Sequence, residues 1–152
     1  MLEPMSQKNL VTKPIRERSD RPDIRGTTPA MTYISDLFFP QAKIYVRWGW
    51  IFDIPNPNPH VNPHSHDYDE FVIHIGTDPN DPEDLGGELE FVVNGEPIVI
   101  NKTSALYIQK GIKHGPLMWK QVTRPHLEMS IIAGTGAYLD ARPGGYFNPT
   151  TV

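Results

Sequence analysis

The chain has 152 residues, enough for one hydrophobic core and too few for two ordinary ones. Its 14 basic and 18 acidic side chains leave a net charge of −4, which offers no electrostatic footprint for nucleic acid or for an anionic membrane. There is no cysteine, so zinc-finger and iron–sulfur chemistry are excluded, no oxidising compartment is required, and any metal must be held by nitrogen and oxygen.

The N-terminus lacks the apolar core of a signal peptide, and no run approaches the roughly 18 apolar residues of a membrane span, so a cytoplasmic protein is expected. Residues 1–30 are polar, charged and proline-containing and read as an extended or partly disordered arm, ordered against a partner subunit; residues 31–152 read as a single domain. Punctuation by 16 prolines and 12 glycines leaves little room for long helices, and the domain reads as all-β. Strands are expected over Ala42 to Phe52, Glu70 to Ile75, Glu88 to Val93, Pro97 to Ile100, Ser104 to Ile108 and His126 to Ala133. Asn94-Gly95 marks a hairpin, because both residues tolerate positive φ in a tight turn. Thr77 to Gly87 is an acidic loop whose prolines and spacing do not fit an EF-hand.

The first of these strands sorts Ile44, Val46, Trp48, Trp50 and Phe52 to one face, expected to be core or a dimer contact, and Tyr45, Arg47 and Gly49 to the other. An arginine inside an apolar strand needs an anion, supplied by a structural salt bridge or by a substrate carboxylate, which makes Arg47 a candidate substrate-binding residue.

The chemistry concentrates after Pro63. "HSHDYDE" sets His64, His66 and Glu70 at the spacing H-x-H-x3-E, and in an unbroken strand all three even-numbered side chains point the same way. The apolar run Phe71 to Ile75 follows at once, which marks the cluster as the opening of a buried strand. His114 is a fourth possible ligand, preceded by Gly111 in "GIKH". Tyr68, His126 and Glu128 are candidate catalytic groups able to orient a ligand or move a proton, with His74 a further candidate and His60 a weaker ligand. Met118 and Trp119 could wall an apolar pocket, so Trp119 joins Arg47 as a substrate-binding candidate.

These two segments resemble the two cupin motifs, H-x-H-x3-E followed by a glycine, here Gly76, and P-x-G-x-x-H, with Gln109 where the proline usually stands. The departures are Asn58 for the opening glycine of the first motif, Gly76 one residue early, Thr103 for the opening glycine of the second motif and Met118 for its usual asparagine. The resemblance covers about residues 40 to 134 and implies a double-stranded β-helix, a jelly-roll-like barrel. It also implies a homodimer, with Trp48 and Trp50 as a plausible contact.

Three neutral imidazoles and a carboxylate suit one divalent ion per chain, Fe(II) first, with Mn(II), Ni(II), Co(II) or Zn(II) also compatible. The expected function is a metal-dependent enzyme on a small oxygenated organic substrate, with dioxygenase chemistry placed slightly ahead of non-redox isomerase, lyase or decarboxylase chemistry. A non-catalytic ligand-binding or sensory module is the third reading, and fold alone does not choose among them.

Overall fold

The computed structural model describes residues 24–136 together with the backbone of Ile15 and Arg16. Ten strands follow in chain order: β1 (Ile15–Arg16), β2 (Arg25–Thr27), β3 (Met31–Ile34), β4 (Ile44–Asn56), β5 (Asp69–Ile75), β6 (Asp84–Val93), β7 (Glu96–Lys102), β8 (Ser104–Ile108), β9 (His114–Val122) and β10 (His126–Ala133). They form two antiparallel sheets, one of seven strands in the order β1-β3-β4-β10-β5-β8 with β2 also on β4, the other of three in the order β7-β6-β9. Among the described residues there is no helix, and so none long and apolar enough to cross a membrane.

The sheets share one core. Ile51, Val72 and Ile108 come from the larger sheet and meet Leu85, Leu89, Phe91, Ile100, Leu117 and Trp119 from the smaller. In β5, for example, Glu70, Val72 and His74 are withdrawn from water at alternate positions, as in a small sandwich or barrel.

The Asn94-Gly95 hairpin forms as the sequence indicates, with both residues at positive φ between β6 and β7. Other expectations change. β9 is a full strand that was not among those expected; it is the edge strand of the smaller sheet, with only isolated bridges on its other side, and such a strand tolerates Pro116 where a central one would not. β6 starts at Asp84, which shortens the acidic loop, and Thr103 braces that loop by accepting from Gly76 N–H and donating to the Pro82 carbonyl. Part of the expected arm is strand, because Arg25–Thr27 pairs with β4; residues 1–14, 17–23 and 137–152, which complete the expected arm and domain boundaries, lie outside the described residues.

The two faces of β4 are also reversed from the core assignment. Tyr45 and Ile51 are fully buried, and their row partners on β10, Ile132 and His126, are buried with them. Ile44, Trp50 and Phe52 are exposed, Phe52 at 52%, and only Val46 of that set is buried. The inward face carries Arg47 and Gly49, so apolarity alone pointed to the opposite face.

Candidate metal centre

His64 and His66 are not on a continuous strand with Glu70, as strand parity had supposed, because β5 begins only at Asp69. Prolines at 57, 59 and 63 keep the preceding segment irregular, and two isolated bridges, Val61 to Leu117 and His64 to His114, take the place of a strand. His64 N–H donates to the His114 carbonyl at 2.8 Å, and His114 N–H donates to the His64 carbonyl at 2.9 Å. Gly111 N–H donates to the His66 carbonyl at 2.8 Å, which ties the turn before β9 to the same segment. That turn needs Gly111 at φ +79°, and beside His114 a Cβ on Gly115 would come within 2.6 Å of the Asn62 carbonyl oxygen.

The three imidazoles carry their protons on the same nitrogen. Each Nδ1 faces a backbone carbonyl two residues away, Asn62 for His64 at 2.8 Å, Tyr68 for His66 at 3.0 Å and Ile112 for His114 at 2.8 Å. A carbonyl can only accept, so Nδ1–H donates and every Nε2 is left as a bare lone pair. The rings gather with centroids 4.2 to 5.5 Å apart, and the possible ligating atoms of His64, His66 and His114 all lie within 4.8 Å of one another. Nε2 of His64 and of His114 are buried without a hydrogen-bond partner. Unanswered buried lone pairs are costly, and three converging ones are what a divalent cation would satisfy.

Glu70 closes one side. Its Oε2 lies 2.8 Å from His66 Nε2 and 3.6 Å from His114 Nε2. Burial would raise the Glu70 carboxyl, but the facing His114 and His66 rings and the Ser130 hydroxyl outweigh it and hold Glu70 well below the usual carboxylate range. A bare His66 lone pair facing an ionised carboxylate at 2.8 Å requires positive charge between them, and cis ligands on an ion with bonds near 2.1 Å sit about 3 Å apart. The residues therefore fit a metal. Burial also lowers His64, favouring the neutral, ligating ring.

The remaining candidates separate into two places. Tyr68 stacks on His66, with ring centroids 3.9 Å apart, and packs with Tyr45 and Ile132. His126, Glu128 and Trp119 lie further along the interior. His126 is fully buried, its Nδ1–H donating to the Arg124 carbonyl, and its ring lies 4.8 Å from Trp119. Glu128 Oε1 is 3.4 Å from His60 Nε2. Burial opposes its charge, but the hydrogen bond from His60 and the charges of His60, His74 and Arg47 bring Glu128 down to about 2. Arg47 is among the charges that lower Glu128, and its row partner across the ladder is Ser130. His74, opposite Glu128, is fully buried, and burial takes it down to about 4.

Two further residues support this interior. Ser130 Oγ–H donates to Glu70 Oε1 at 2.5 Å from the neighbouring strand. Asn58, which displaces the usual glycine, accepts from Trp119 N–H at 3.0 Å and donates to the Trp119 carbonyl at 2.8 Å. Ser130 could have been found only by placing β10 against β5.

No protein-family model matches this sequence, and no curated protein matches it either. Solved structures do. The polyketide cyclase RemF from Streptomyces resistomycificus superposes with a TM-score of 0.51 at 15% identity, over 98% of this chain and 86% of that one. A cupin-2 domain from Rhodospirillum rubrum gives 0.51 at 9% identity, over 90% of this chain and 76% of that one. The chain has the cupin fold. In it Gly111 lies at the turn before β9 and His114 opens β9, while Met118 sits half-buried on the alternate face of that strand.

Proposed function

We propose that this cupin is a metal-dependent enzyme acting on a small oxygenated organic substrate, with His64, His66, Glu70 and His114 as ligands and proton transfer rather than oxygen activation as its chemistry. The observation that supports it is the pairing, inside one barrel, of three fixed Nε2 lone pairs with a separate ionised carboxylate, Glu128, in hydrogen-bond contact with His60. A divalent ion at the four ligands would supply Lewis-acid polarisation of a substrate oxygen. Glu128, ionised at neutral pH, accepts a hydrogen bond from the substrate and orients it, and His60, in contact with that carboxylate, is the proton acceptor. Tyr68 holds the His66 ring by stacking, and Ser130 aims the Glu70 carboxylate. Arg47 balances Glu128.

Fe(II) dioxygenase chemistry uses the same ligand types and is the second reading, favoured by the nitrogen and oxygen donor set alone. Turnover of hydroxylated and carboxylated aromatic substrates with and without oxygen separates the two: activity unchanged under anaerobic conditions supports proton transfer, and strict oxygen dependence supports the dioxygenase. In the same proposal the exposed face of the larger sheet joins two copies into a homodimer.

A further inference from the structure

Beyond the metal ligands the barrel contains a second group of buried polar atoms that no group among the described residues answers. His74 is fully buried with neither ring nitrogen in a hydrogen bond, and His126 Nε2, Trp119 Nε1 and Glu128 Oε2 are in the same condition. That condition also marks His64 Nε2 and His114 Nε2, where a ligand is implied. Such atoms in a low-dielectric interior are costly unless something supplies their hydrogen bonds.

Their chemistry defines what could do so. His126 donates from Nδ1 to Arg124, so its Nε2 is an acceptor; Glu128 Oε2 is an acceptor; Trp119 Nε1–H is a donor. Burial favours the neutral form of His74, which then offers one donor and one acceptor. Hydroxyl groups both donate and accept, and so match this mixture. A carboxylate would face Glu128. The surroundings are flat and apolar: the Trp119 ring lies 5.6 Å from His74 and 4.8 Å from His126, and Trp119 belongs to the same core cluster as Ile51, Val72 and Leu117.

Register gives the span. Glu70 and His74 both turn inward from β5, four residues or roughly 13 Å of strand apart, and across the ladder Ser130 and Glu128 stand opposite Val72 and His74. We propose that His74, His126, Trp119 and Glu128 form a second subsite that receives the hydroxyl-bearing far end of a rigid, two-ring aromatic substrate whose near end lies at the metal centre. This rests on the metal-site reading above.

The test uses two probes with identical near ends, 2,3-dihydroxynaphthalene and 2,3,6-trihydroxynaphthalene, titrated calorimetrically into zinc-loaded protein. The third hydroxyl is expected to strengthen binding at least tenfold in the wild type and to add less than twofold in Trp119→Phe and in His74→Asn, while the dihydroxy probe and the zinc content are the same in all three. Trp119→Phe keeps an aromatic ring in the core, so it remains informative if His74→Asn does not fold. If the metal is retained and the third hydroxyl adds nothing in the wild type, or its gain survives in the variants, the subsite is overturned and only ordered water occupies these atoms. If no metal is retained, the metal-site reading falls and the subsite falls with it.

Discussion

Ser130 Oγ lies 2.5 Å from Glu70 Oε1, so the carboxylate oxygen that does not face His66 and His114 is held from the neighbouring strand. A carboxylate fixed in this way presents its other oxygen to the three imidazoles without losing side-chain freedom when an ion binds. Ser130→Ala is therefore expected to weaken metal affinity by about tenfold to a hundredfold while leaving the fold intact, read by competition with a fluorescent chelator. Unchanged affinity would show that Glu70 does not depend on this contact.

Asn58 makes two hydrogen bonds to the backbone of Trp119, 61 residues away. Asn58→Ala removes both from a partly buried position and is expected to destabilise the protein by about 1.5 kcal/mol in urea unfolding. Asn58→Gly should cost as much, because the glycine usual at this motif position offers no side-chain partner to Trp119.

His74 makes the protein acid-sensitive. Its folded value of about 4 lies below the ordinary 6.5, so between those values the unfolded chain binds the extra proton and stability falls as pH falls. The loss reaches about 3 kcal/mol near pH 4 for so complete a burial. Glu128, folded near 2 against an ordinary 4.5, adds a loss of the same sign below pH 4.5. Unfolding midpoints measured from pH 7 to pH 4 should drop steeply in the wild type and less steeply in His74→Gln; parallel slopes would rule His74 out as the cause.

The outer face of the larger sheet carries the row Val46, Ile131, Phe71 and Tyr107 beside the row Trp48, Met129, Ile73 and Ala105, without a charge in either. Phe71 is 37% exposed and Tyr107 50%, and they stack with centroids 5.0 Å apart. An outer face this apolar is one that a two-fold pairing with a second copy would cover. Light scattering after size exclusion should give twice the chain mass for the wild type and the single chain mass for Phe71→Lys combined with Trp50→Lys. A monomeric wild type would contradict the pairing.

The site was more legible in the sequence than the strands that carry it. H-x-H-x3-E and G-x-x-H name their residues directly, and His64, His66, Glu70 and His114 do come together. The reason given for that meeting, parity along one strand, does not hold, since a reciprocal backbone bridge between His64 and His114 brings the first and last of them together. β9 was hidden by a proline that an edge strand tolerates, and the inward face of β4 was hidden because it carries Arg47 while the outward face is the more apolar. Ser130 and the partners of Trp119 depend on pairings between residues 60 or more positions apart, which local pattern does not encode.

The most direct measurement is metal content by elemental mass spectrometry, on protein purified without chelators beside the His64→Ala, His114→Ala double variant. The account expects close to one divalent ion per wild-type chain, as purified or after reconstitution, and almost none in the variant, with both proteins folded by circular dichroism. A wild type that stays empty after reconstitution, or a variant that retains its metal, would contradict the ligand set on which the proposed function rests.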